Sequence, residues 1–125
     1  MRNDGQTAQA DAVRQQLAKV LRERDRSAQS LMTAMESNDL GASLERSGDV
    51  RGAIEKYRAA LALQPDHAGI RAHLGIALLK DGQWDEGLSQ LREAVKRDPH
   101  NPDFQRALED APEQAKAGGI SVAKP

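Results

Sequence analysis

The strongest constraint on this chain is that it matches itself at an offset of 34 residues. LGASLERSGDVRGAIEKYRAALALQP begins at Leu40, and LGIALLKDGQWDEGLSQLREAVKRDP begins at Leu74. The shift superposes Ala34 on Ala68, Leu40 on Leu74, Gly41 on Gly75 and Leu44 on Leu78. It also superposes Gly48 on Gly82, Arg58 on Arg92, Ala60 on Ala94 and Pro65 on Pro99. A unit written twice in tandem leaves an apolar face that its neighbour must cover, so the chain is expected to fold as a stack of units.

Glycine and proline mark where each unit turns. A helix running to Arg46 meets Ser47-Gly48, the next starts after Asp49 and ends before Pro65, and a third follows Asp66 as N-cap and stops at Asp81-Gly82. A fourth begins near Trp84 and ends before Asp98-Pro99. Glycine supplies a left-handed stop, and proline disfavours helix at the residue before it. Asn101-Pro102 has the form of an N-cap followed by proline in the first turn, opening a fifth helix that Pro112 could kink or restart.

Upstream, no Gly or Pro occurs between Gln6 and Leu40, and Val13, Leu17, Val20 with Leu21, Ala28, Leu31 and Met35 recur at helical spacing. Thr33-Ala34-Met35-Glu36 matches a capping box, which predicts that a helix begins there. The rival expectation is one uninterrupted helix to Arg46. The preferred division is a disordered tail at 1–7, an amphipathic helix at 8–33, repeat units at 34–67 and 68–101, a capping helix at 102–116 and a disordered tail at 117–125.

Composition fits an all-α chain. Hydrophobic residues make up 38% and charged residues 30%, and the aromatic residues are Trp84, Tyr57 and Phe104. So few aromatics do not suit a strand-rich core, whereas the Ala- and Leu-heavy apolar set suits helices. A net charge of −1 gives no bulk attraction to nucleic acid or acidic lipid. The absence of Cys excludes disulfides, thiolate-bound zinc and a thiol nucleophile. No apolar run reaches membrane-spanning length and no hydrophobic signal region opens the chain, so cytoplasmic is the default expectation.

The period and its fixed residues resemble the tetratricopeptide repeat, a 34-residue helix–turn–helix unit. The first unit supplies Leu40-Gly41, Leu44, Ala53, Tyr57, Ala60 and Pro65, and the second Leu74-Gly75, Leu78, Leu91, Ala94 and Pro99. Ser37 and Arg71 stand where the pattern has Trp, and Gly87 where it has Ala. The resemblance implies an all-α, right-handed α-α superhelix whose first helices line a concave groove for peptide segments of other proteins. By position that groove would present Met35, Asn38, Ala42, Glu45 and Arg46, then Ala72, Ile76, Leu79 and Lys80, with Arg106 near the end. Ala42 and Ala72 stand where a carboxylate-clamping set would need polar groups, which argues against that specialised activity.

Other candidate chemistry is weak. Trp84 beside its glycine turn reads as a structural wedge. His67 and His100 sit in corresponding turns, and His73 has no i+4 ligand partner, so no metal site is expected. Ser43, Ser47 and Ser89 lack a His in register, there is no phosphate loop, and Glu45, Glu55, Asp85 and Glu86 are spread as on a solvated face. Arg14, Lys19, Arg22, Arg24 and Arg26 are interleaved with Asp11, Glu23 and Asp25 and lack the aromatics of a nucleic-acid surface. The seam Val13, Leu17, Val20 is interrupted by Arg24 and Ser27 before Leu31, which suits a short helix–helix contact better than a long coiled coil. The expectation is a noncatalytic protein-interaction module without cofactor. The alternative is a homodimer formed through the N-terminal helix.

Overall fold

A computed structural model describes residues 4–117. Its five helices are α1 (Asp4–Arg46), α2 (Val50–Leu63), α3 (Ala68–Lys80), α4 (Trp84–Arg97) and α5 (Pro102–Ala117), and no strand occurs among the described residues. Each helix packs on the next in sequence, and α3 also touches α1 and α5. The chain is therefore an all-α helical array. No helix among the described residues is long and apolar enough to cross a membrane.

The turns follow the glycines. Gly48 and Gly82 adopt φ of 95° and 82°, conformations that side-chain-bearing residues rarely take. Asp49 then caps α2 by accepting from the Gly52 amide at 2.9 Å. Asn101 Oδ1 caps α5 through the amides of Asp103 and Phe104. At α3 the expected Asp66 cap is replaced by His67, whose Nδ1 accepts from the Ile70 amide at 3.1 Å. Asp66 instead takes the Arg97 guanidinium at 2.6 Å.

Two expected interruptions are absent. The capping box at Thr33–Glu36 starts no helix, because α1 runs through it without a break. A capping box helps only where amides lack intrahelical partners, and with no Gly or Pro from Gln6 to Leu40 the amides of this stretch keep theirs. Pro112 likewise lies inside α5, which continues to Ala117. Helix also extends back to Asp4, into the expected 1–7 tail, whereas residues 118–125 of the expected C-terminal tail lie outside the described residues.

The core is assembled in sections along the stack. Ala34, Ala60 and Ile70 form one section, and Ala53, Ile54, Tyr57, Leu74, Ala77 and Leu78 a second. Ala72, Leu79, Leu91, Ala94 and Ala111 form a third, flanked by half-buried Trp84 and Phe104. Small residues set the helix spacing: a Cβ added to Gly75 would lie 3.0 Å from the Gly87 carbonyl oxygen, and one on Gly87 3.0 Å from that of Gly75. Gly87 therefore stands in place of Ala because α3 and α4 cross there backbone to backbone.

The two missing tryptophans are replaced by hydrogen bonds at equivalent sites. Ser37 Oγ donates to the Lys56 carbonyl at 2.8 Å. One repeat later, Arg71 donates to Gln90 Oε1 at 2.7 Å, and its other terminal nitrogen donates to the Pro65 carbonyl. A bidentate Arg58–Glu86 pair, at 2.7 and 2.9 Å, ties α2 to α4 across the repeat boundary. The Arg58 hydrogen bonds hold the Glu86 carboxyl below its ordinary pKa.

Candidate functional site

One cleft lies where α1 meets α3, and its geometry follows from what covers each. In the first unit Asn38, Ala42 and Glu45 are spaced four and three residues apart, on one face of α1. On α3, His73 and Lys80 are seven residues apart and share a face that meets it. Together they enclose a cleft of about 250 Å³ lined by Ala42, Glu45, Arg46, Tyr57, His73 and Lys80.

The floor of this cleft is a polar network. Tyr57, 1% exposed, donates its hydroxyl to Glu45 Oε1 at 2.8 Å. The second Glu45 oxygen, Oε2, accepts from Lys80 Nζ, so one carboxylate joins α1, α2 and α3. Burial, then the hydrogen bond to Glu45, push the Tyr57 phenol well above its ordinary range, and it stays protonated. His73 Nδ1 lies 2.8 Å from Oδ1 of buried Asn38, and its ring packs on Tyr57 with centroids 5.6 Å apart. Burial lowers the His73 pKa and favours the neutral ring, with Glu45 acting in the opposite sense.

The second unit differs at the matching positions. Leu79 stands where the first unit has Glu45, Leu91 where it has Tyr57, and Ala72 where it has Asn38. Here α5 lies over the helix pair and seals an apolar section. The matching positions are thus polar where α3 covers the first helix pair and apolar where α5 covers the second.

Of the residues expected in the groove, Ala42, Glu45, Arg46 and Lys80 do line one cleft, with Asn38 behind His73. Ala72 and Leu79, 1% and 3% exposed, are instead core, and Ile76 packs half-buried against the same section. Their stripe is covered by this chain's own terminal helix. Met35 packs against Ala34, Ala60 and Ile70. Arg106 is exposed on α5 and does not line the cleft. Lys80 is engaged by Glu45, and Arg46 is a second exposed cation lining the cleft. Sequence reasoning missed Tyr57 and His73 as lining residues; the seven-residue spacing of His73 and Lys80 was the available signal. Among the described residues no group of three or more His, Asp or Glu side chains is placed to hold a metal.

Comparison with known proteins agrees with this architecture. The tetratricopeptide repeat family model matches residues 44–117. A 62-residue stretch, half of this chain, is 42% identical to the "BBSome complex member bbs-4" of Caenorhabditis elegans, and that match covers 13% of the relative's length. The period, the glycine-spaced helix pairs and the match over residues 44–117 make this chain a member of the tetratricopeptide repeat family.

Proposed function

We propose that the chain is a noncatalytic protein-interaction module that takes a peptide segment of another protein along the α1–α3 face. The observation that carries this reading is the open cleft over the Glu45–Tyr57–Lys80 network. At about 250 Å³ it is smaller than the ~300–1,000 Å³ of small-molecule sites, and it suits one anchoring side chain of a peptide. The network fixes the cleft shape before binding, which reduces the ordering cost of association.

The exposed Arg46 favours an acidic group beside the anchor, and Ala42 leaves room for the peptide backbone. That the relative is a complex member is in keeping with a role in protein assembly. Selection from a displayed peptide library against the whole chain supplies the ligand for a test. Ala42→Arg, which fills the cleft from its wall, then lowers affinity at least tenfold, about 1.4 kcal/mol, with an unchanged melting temperature. Equal affinity in wild type and variant would overturn the reading.

A further inference from the structure

Among the described residues, the stretch of α1 from Ala8 to Gln29 is exposed at every position except half-buried Ala18. The C-terminal end of α2 meets α1 at Ser30, where Ser30 Oγ donates to the Leu63 carbonyl and Gln64 Nε2 donates to Ser30 Oγ. From Asp4 to Gln29, about 39 Å at 1.5 Å per residue, α1 projects beyond that point. Helices gain most of their stability from packing an apolar face, and this stretch has such a face uncovered. Val13 is 66% exposed, Leu17 56%, Val20 41%, Leu21 47% and Leu31 44%.

The uncovered face continues an existing interface. Val13, Leu17, Val20, Arg24, Ser27 and Leu31 are spaced four and three alternately, and the same alternation carries on to Ala34, Asn38 and Gly41. Those three are buried where α1 meets α2 and α3. A strict seven-residue repeat drifts ~20° per heptad on a straight helix, so the seam winds slowly and its exposed part adjoins its buried part. At its inner end lies a notch of about 670 Å³, lined by Leu31, Leu63, Gln64, Arg26 and Ser27 among others.

We propose that a second copy of this chain covers the face, its α1 running antiparallel. With the two-fold axis near residue 22, Val13 of one copy aligns with Leu31 of the other and enters the Leu31–Leu63 notch. Leu17 then aligns with Ser27, Val20 with Arg24, and Leu21 approaches its own counterpart. Arg24 selects this direction. A parallel, in-register pair sets Arg24 against Arg24 in the seam, a like-charge contact that destabilises. The antiparallel pair sets it beside Val20 and within one turn of the other copy's Glu23. This pairing is independent of the peptide cleft.

The chain has no Cys, so single thiols report the contact cleanly. Sedimentation equilibrium of the full chain gives twice the 13.6 kDa chain mass. Leu17→Glu with Leu31→Glu, both at solvent-exposed positions, gives the single mass with an unchanged helical circular dichroism signal. Under mild oxidation Leu21→Cys cross-links to itself, Val13→Cys alone does not, and Val13→Cys mixed with Leu31→Cys forms the mixed dimer. A single-chain mass at every concentration overturns the proposal in favour of a different partner on this face. Efficient self-cross-linking of Val13→Cys overturns the antiparallel direction.

Discussion

Across the seam between α1 and α3, the His73 Nδ1 sits 2.8 Å from the Asn38 Oδ1. In the neutral ring, Nδ1–H donates to the amide oxygen while the rest of the imidazole lies on Tyr57. The first and second units are therefore joined at the cleft by an imidazole whose pKa is lowered by burial.

That joint sets a pH dependence. Burial lowers the folded-state pKa of His73 below its ordinary value of 6.5. The unfolded chain then binds the proton more readily, so stability is fully present above the ordinary value and declines as pH falls from there toward the folded pKa. Glu45 opposes the shift, which keeps the slope modest. Thermal melts from neutral to mildly acid pH show a falling melting temperature in the wild type and a flatter profile in His73→Gln. Identical profiles would contradict the assignment.

Substitutions on α3 separate core from cleft. Leu79 is 3% exposed and packs with Leu91 and Ala94, so Leu79→Ala costs about 2–5 kcal/mol, as large-to-small core changes do. Ile76 is only half-buried against the same section, so Ile76→Ala costs clearly less. Urea denaturation of both variants measures the difference. Equal, small losses would mean that α5 does not close this section.

Gly87→Ala tests the close crossing of α3 and α4. Helix propensity favours the alanine by about 1 kcal/mol. The added Cβ would meet Leu79 Cδ2 at 2.8 Å and the Gly75 carbonyl oxygen at 3.0 Å, and the backbone atom cannot swing aside. Overpacking of this kind costs about 1–3 kcal/mol, so the net effect is a lowered melting temperature. A raised one would show that the helices separate freely.

The spacing of glycines and prolines placed α2 to α5 in the sequence because those residues act locally: Gly48 and Gly82 take the left-handed turns, and Asn101 caps α5. What failed to read through were choices made by tertiary contact. Thr33 and Glu36 form a capping box in letters, yet an unbroken α1 has no free amides there to cap. Ala72, Ile76 and Leu79 were expected in the groove because position in the repeat reports which residues share a face and is silent on what covers it; α5 does. Glu45, which looked like one carboxylate of a solvated face, is drawn inward by Tyr57 and Lys80, one of them 12 and the other 35 residues away in the chain. His67 took the cap expected of Asp66 because its Nδ1 reaches the Ile70 amide.

We propose that the α1–α3 cleft, and not the outer face of α2 and α4, receives a partner peptide. Amide chemical-shift mapping of the full chain, titrated with a peptide selected from a displayed library, tests it most directly. Shifts are expected to concentrate at 38–46 on α1 and 73–80 on α3, with the Tyr57 side chain also responding. Shifts confined to α2 and α4, or to the projecting part of α1, would contradict it.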